Sequence, residues 1–140
     1  MAKSTTSRQR RSGCPISIAL ELLGDAWSLL IVRDLMFKDR RTFNDFLTGG
    51  EGIASNILAD RLRRLEDADI IEKRRDPLDA RRFLYRLSPK GIELAPVLVE
   101  LVVWSARHEQ TDAPAAVVRR MRADRDAFVA EVRQQWRDGD

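Results

Sequence analysis

Apolar residues recur at helical spacing along most of the chain and give way to strand-like segments only between residues 70 and 88. Ile16, Ala19, Leu20 and Leu23 predict a first helix. Pro15 suits its first turn, where a missing N–H is harmless, and Gly24 ends it. Asp25 is placed to cap a second helix over Ala26 to Phe37, with Trp27, Leu30, Ile31, Leu35 and Met36 mostly inward. Thr42-Phe-Asn-Asp45 has the spacing of a capping box, with Asp in place of the usual Glu or Gln. It opens a short helix to residue 48 whose buried side is Phe43, Phe46 and Leu47. Thr48-Gly-Gly-Glu-Gly52 then predicts a sharp turn. In the next helix, 54–67, Leu58, Leu62 and Leu65 make one apolar face and leave a polar face opposite.

Ile70-Ile-Glu-Lys-Arg-Arg75 and Phe83-Leu-Tyr-Arg-Leu-Ser88 read as two strands bracketing a basic loop over 76–82. Ser88-Pro89 is a cap followed by a first-turn proline. It opens a long helix to about His108 with a stripe of Leu94, Leu98, Leu101 and Val102. Pro96 either kinks this helix or moves its start. Thr111-Asp-Ala-Pro114 is a break, and Ala115 to Trp136 reads as one final helix with Val118, Met121, Phe128, Val132 and Trp136 on one side. The predicted fold is mainly α with a small β-hairpin wing: a winged helix-turn-helix with extra terminal helices for dimerisation. The predicted organisation is a basic, disordered tail over 1–13, a DNA-binding domain over 14–110 and a C-terminal dimerisation helix within 111–140.

A chain of 140 residues with 44% hydrophobic positions makes about one domain with a modest core. No apolar run approaches the roughly 20 residues of a membrane span, and the N-terminal segment lacks a secretion-signal pattern. Cys14 is the single cysteine, so no internal disulfide can form, and the reducing cytoplasm is the expected setting. The net charge of +3 is weak evidence by itself. Its distribution is more telling, because the excess of cations lies on residues 1–12 and 38–90. Such cations bind duplex DNA by displacing counterions from phosphates. The same charges would also suit a plain solvated surface.

In a helix-turn-helix the start of the second helix meets base edges. Ser55, Asn56, Ala59 and Asp60 hold those positions here. Asn56 can pair with adenine, and Ser55 can serve a base or a phosphate. Arg61 can reach a phosphate or pair with a nearby carboxylate, and Arg63 lies on the exposed side with Arg64 near it. Asp60, Glu66 and Asp67 could neutralise several of these arginines. Arg40, Arg41 and Thr42 stand at the start of the preceding helix, where free amides can hold a phosphate oxygen. Arg81 and Arg82, behind Lys73, Arg74 and Arg75, make a cationic wing suited to a minor groove. Asp76 and Asp79 either fix that loop or cancel its charge.

Cys14 at a helix start beside Arg10 and Arg11 has the setting of a reactive thiol, so an oxidant or electrophile sensor is one reading. A small buried apolar residue is the other. His108 is the only histidine, and the sequence holds no Cys/His metal set, no phosphate-binding glycine loop and no nucleophile elbow. An enzyme is therefore not expected, nor a metal or cofactor. A pocket near Trp27, Trp104 and the dimer interface would admit a small aromatic effector, although core packing explains the tryptophans more simply.

The sequence resembles the HxlR-type transcriptional regulators, a winged-helix family close to the MarR type. The resemblance runs through Cys14-Pro15, Leu22-Leu-Gly-Asp-Ala-Trp27, Leu29 to Leu35, Arg41-Thr-Phe-Asn-Asp45, Gly52-Ile53, Leu58 to Glu66 and Tyr85-Arg-Leu-Ser-Pro-Lys-Gly91. It covers about residues 14–104. It implies a dimeric cytoplasmic repressor or activator, double-stranded DNA as partner, dimerisation by helices at both chain ends, and an electrophile- or oxidant-sensing cysteine at position 14. Two positions depart from the pattern. Asp69 stands where the family usually has glycine, and Ala54 where it usually has serine. Together these readings predict a homodimeric regulator, most simply a repressor, binding an inverted repeat. The rival is a winged-helix module that binds protein and not DNA.

Overall fold

The structure is a computed structural model and describes residues 9–139. Most of the expected basic tail, residues 1–8, lies outside the described residues. The rest divides after Gly91 into two compact units.

The first unit begins with α1 (Pro15–Leu23) and α2 (Ser28–Phe37). The second of these starts two residues later than expected, so its N-cap residue is Trp27 and not Asp25, which instead holds the turn before the helix. The Asp25 carboxylate accepts the amides of Trp27 and Ser28 at 2.8 and 2.9 Å and the Ser28 hydroxyl at 2.5 Å. That three-way bond uses up Ala26 and Trp27 in the turn. Next, α3 (Phe43–Leu47) opens on the predicted capping box. The Thr42 hydroxyl accepts the Asp45 amide at 3.1 Å, and the Asp45 carboxylate accepts the amides of Arg41 and Thr42 at 2.9 and 3.0 Å. Gly50 and Gly52 turn the chain with φ of 104° and 78°, a region that strains other residues. Then α4 (Ser55–Asp67) buries Leu58, Leu62 and Leu65 and packs on α2, α3 and β1, with Ile31, Val32, Phe46 and Ile53 also buried. Each of these side chains contributes roughly 1.5–3 kcal/mol by leaving water.

Strands β1 (Ile71–Asp76) and β2 (Asp79–Leu87) form an antiparallel hairpin. The expected open loop over 76–82 is instead a tight turn at Pro77-Leu78 with a bulge behind it. Pairing runs regularly from Ile71↔Leu87 to Arg75↔Phe83 and then jumps to Asp76↔Asp79. Ala80, Arg81 and Arg82 are left outside the ladder, which is how a bulge re-aims side chains. The Tyr85 amide donates to the Arg41 carbonyl at 2.8 Å, tying the root of the wing to the start of α3. The Tyr85 ring meets Phe46 edge-on at 5.9 Å.

Ser88, fully buried, joins the end of α4 to the helical turn after the wing. Its hydroxyl donates to the Asp69 carbonyl at 2.6 Å and accepts the Gly91 amide at 2.9 Å. Asp69 itself has φ of 63°, the left-handed conformation that glycine occupies without strain. Asp69→Gly is therefore expected to stabilise the protein by up to about 1 kcal/mol, less the extra freedom gained by the unfolded chain. A higher urea midpoint at unchanged slope would show it; a lower midpoint would mean the aspartate is unstrained.

The long helix expected over 89–108 is two: α5 (Pro89–Ile92) and α6 (Ala95–His108). Pro96 lies in the first turn of α6, so it moves the start and kinks nothing. The inward residues of α6 are Ala95, Leu98, Val99 and Val103, while Leu101 of the expected stripe is 46% exposed. The single helix expected over 115–136 is also two, α7 (Ala115–Ala123) and α8 (Arg125–Asp138). Asp124 interrupts it with φ −157° and caps α8 by accepting the Ala127 amide at 3.0 Å. Within this second unit α6 packs on both α7 and α8, burying Val118, Met121, Phe128 and Val132. Arg120 of α7 pairs with Glu131 of α8 at 2.5 Å and lies over the Phe128 ring. No single helix among the described residues is long and apolar enough to cross a membrane.

Candidate nucleic-acid interface

The first two turns of α4 expose Ser55, Asn56 and Ala59. Ala54 precedes them as a cap residue with no side-chain bond to offer, so the first amides of α4 receive no side-chain cap from it. Further along, Arg63 and Arg64 are exposed and Asp60 is half-buried. Asp60 gathers the arginines: Arg61 at 2.6 Å, Arg63 at 2.6 Å and Arg64 at 3.8 Å. Arg61 also reaches Asp25 at 3.1 Å, and its side chain is 19% exposed. Of the two roles open to Arg61 the structure displays the carboxylate pair, which braces α4 against the turn before α2. Nothing local in the sequence marks that pair, whose members stand 36 residues apart.

Burial by itself would raise the Asp25 pKa. The Ser28 hydroxyl, the amides of Trp27 and Ser28, and Arg61 outweigh it and lower the value to about 2. A carboxyl whose pKa is depressed on folding stabilises the fold above its unfolded value, near 3.9, and loses that contribution as pH falls through the folded value. Stability is thus expected to drop between about pH 4 and pH 2 by an amount of order 1–2 kcal/mol from this group. Urea unfolding across that range checks it: Asp25→Asn should be less stable at pH 7 and should flatten the acid limb. An Asn variant with the wild-type acid limb would assign the drop elsewhere.

A buried carboxylate, Asp34 at 4% exposure, holds Arg40 at 3.0 Å and Arg33 at 2.7 Å. Arg33 continues to Glu51 at 2.8 Å and so pins the glycine turn between α3 and α4. Arg41 pairs with Asp39 at 3.1 Å, and Thr42 is engaged in the capping box.

On the wing, Arg82 donates from Nε to Asp76 at 2.6 Å, and Asp76 is 4% exposed. The Leu78 amide and then Arg82 hold the Asp76 carboxyl below its usual range. Arg81 pairs with Asp79 at 3.1 Å. Both aspartates therefore fix the turn as well as offsetting charge. Phe83 forms a platform under two cations, Lys73 at 4.4 Å and Arg75 at 4.6 Å. Only the register Arg75↔Phe83 brings these together, and the sequence does not display it. Between the wing root and α3 runs a groove of about 330 Å³ whose lining includes Thr42, Arg81, Arg82, Phe83 and Tyr85. The structure thus unites Thr42 with Arg81 and Arg82. Arg40, Ser55, Asn56, Ala59, Arg61 and Arg63 lie outside that groove.

Cys14 is exposed, which sets aside the buried-core alternative within one chain. It stands at the N-cap of α1, and its amide donates to the Ser12 hydroxyl at 3.2 Å. Trp27 borders a space of only about 20 Å³, the size of one water and too small for an aromatic effector. Trp104 is 59% exposed and packs on His108 with ring centres 5.3 Å apart.

Residues 22–113 match the family described as HxlR-like helix-turn-helix. The HTH-type transcriptional regulator sll1512 of Synechocystis, named as uncharacterized, is 36% identical over 88 residues, covering 63% of this chain. That alignment spans 64% of the relative's own length, a little under two thirds. The HTH-type transcriptional regulator YodB of Bacillus subtilis is 33% identical over 93 residues, 66% of this chain and 82% of YodB. The reduced form of YodB superposes with a TM-score of 0.57 at 31% identity, covering 69% of this chain and 95% of YodB. Its quinone-bound form superposes at 0.55 and 33%, covering 67% and 98%. The matched region takes in the capping box, the glycine turn, α4 and the wing, and on that ground the chain belongs to the HxlR-like helix-turn-helix family.

Proposed function

We propose that this protein is a homodimeric, sequence-specific DNA-binding transcriptional regulator, acting as a repressor at an inverted repeat in the cytoplasm. The observation that carries the reading is the polar outer face of α4, where Ser55, Asn56, Ala59, Arg63 and Arg64 are exposed and no large apolar side chain is. A protein-binding winged helix would need an apolar face there. In the proposed complex Ser55 and Asn56 read base edges, and the groove holding Thr42, Arg81 and Arg82 takes a phosphate. Arg61 holds α4 in place. Exposed apolar residues on α1 and α6 suit a second copy of the chain: Ile16 and Leu20 of α1 are 70% and 57% exposed, and Val97, Leu101 and Trp104 of α6 are 44%, 46% and 59% exposed. The exposed thiol of Cys14 is the proposed point of response to an oxidant or electrophile, supported by the quinone-bound state of the related YodB.

Selection of bound fragments from random duplex DNA, with sedimentation equilibrium on the same sample, tests the reading. The expected result is a dimer that enriches a palindrome with half-sites about 34 Å apart. A monomer that enriches nothing at low salt would overturn it.

A further inference from the structure

The second unit holds a cleft that the function above does not use. Arg125, Val129, Arg133 and Arg137 recur every fourth residue and so share one face of α8. They line a cleft of about 520 Å³ together with Val99 and Glu100 of α6. That volume falls in the range of small-molecule sites, roughly 300–1,000 Å³. Val99 gives it a fully buried apolar wall, and Pro96 and Ala130 extend the apolar lining.

The arginines are unequally satisfied. Arg125 pairs with Glu100 across the cleft. Arg137 donates to the Gln134 side-chain oxygen at 3.3 Å. The Nε atoms of Arg125 and Arg133 are both buried and make no hydrogen bond among the described residues; Arg125 has the Glu100 carboxylate beside it, and Arg133 has no such partner. Buried donors nearly always have a partner, so the one on Arg133 marks a place where an acceptor from outside fits. With Asp126 also on the lining, three guanidinium groups face two carboxylates, an excess of one positive charge. Six of the nine lining residues lie beyond residue 113, where the family match ends. The α8 side of the cleft thus lies outside the matched segment, and its α6 side, Pro96, Val99 and Glu100, lies within it.

We propose that the α6–α8 cleft binds a small monocarboxylate with an apolar body, its carboxylate on Arg133 and its hydrocarbon against Val99 and Val129. A planar guanidinium binds a carboxylate in a bidentate fork, and the single excess charge matches a monoanion. The apolar walls favour an acid with a ring or short chain over a bare anion.

Calorimetric titration of the full chain with 2-naphthoate, with 2-naphthamide and inorganic phosphate as controls, tests this. Saturable binding of the acid is expected, with the amide and phosphate each weaker by about tenfold or more, the scale of one charge-assisted hydrogen bond. Arg133→Met should weaken the acid by a similar factor. Glu100→Gln, which frees Arg125, should tighten it, and this variant decides the matter if Arg133→Met fails to fold. No saturation at millimolar acid, equal binding of amide and acid, strong competition by phosphate, or loss of affinity in Glu100→Gln would each overturn the proposal. The titration contains no DNA, so its failure is distinct from failure of the proposed function.

Discussion

Gly91→Ala is expected to destabilise the protein by about 3 kcal/mol, the upper end of what overpacking by a single methyl group costs. A Cβ at Gly91 would stand 2.1 Å from the Ile70 carbonyl oxygen and 3.1 Å from both its carbon and Leu87 Cδ2. The nearest atom is backbone, so no rotamer change relieves the overlap. Nor can that carbonyl move alone, because it accepts the Ser88 amide at 3.0 Å and the Ser88 hydroxyl at 3.1 Å. The Gly91 amide meanwhile donates to the same hydroxyl at 2.9 Å. Backing Gly91 away therefore breaks the bonds that join the end of α4, the root of the wing and α5. Chemical denaturation should show a much lower midpoint, and melting should fall by more than about 10 °C for a domain of this size. Gly13→Ala, where nothing lies within 4 Å, serves as the neutral control. A Gly91→Ala protein within about 1 kcal/mol of wild type would mean that the close approach at Ile70 does not exist in solution.

Gly91 illustrates what the sequence does and does not disclose. The helices of the first unit are legible because their signals are local. Leu58, Leu62 and Leu65 fall at one period, and Thr42 and Asp45 at one capping interval. The break at Asp124 is hidden by the same logic, since Met121 and Phe128 stand seven apart and so fit an uninterrupted helix as well as an interrupted one. The bulge in the wing is hidden for another reason: strand register depends on the partner strand, and a strand-plus-loop pattern does not record which residues the ladder skips. At the candidate interface the residue types are legible, but their partners are not. Asp25 reads as a cap, and only the fold shows that it also holds Arg61. Asp34 carries no signal of being the buried anchor of Arg33 and Arg40, because its role arises where α2 meets the connector after it.

Replacing Arg81 and Arg82 together by alanine is expected to weaken binding to a selected duplex by about 100-fold for each half-site, the combined effect of losing two charge-assisted contacts to phosphate on each protomer. The dependence of log affinity on log salt should flatten by about 4 for a dimer, which carries two such wings, since each lost phosphate contact leaves about one counterion unreleased. Both arginines are already paired with carboxylates, and those pairs are compatible with a DNA role. Arg82 gives only Nε to Asp76, and a guanidinium has five N–H donors. The pair to a nearly buried carboxylate pre-orients the side chain, so less freedom is lost when a phosphate arrives. Arg81, on a 34%-exposed Asp79, is held more loosely and can exchange that partner for a phosphate. Arg119→Ala with Arg122→Ala on α7 removes the same net charge from exposed positions outside the proposed interface and is the matching control. If affinity followed net charge alone, the two double variants would bind alike. The bulge beside Thr42 predicts that they differ, with the α7 pair close to wild type and the wing pair both weaker and flatter in salt. Equal affinities of wing variant and wild type at every salt concentration would take the hairpin out of the contact.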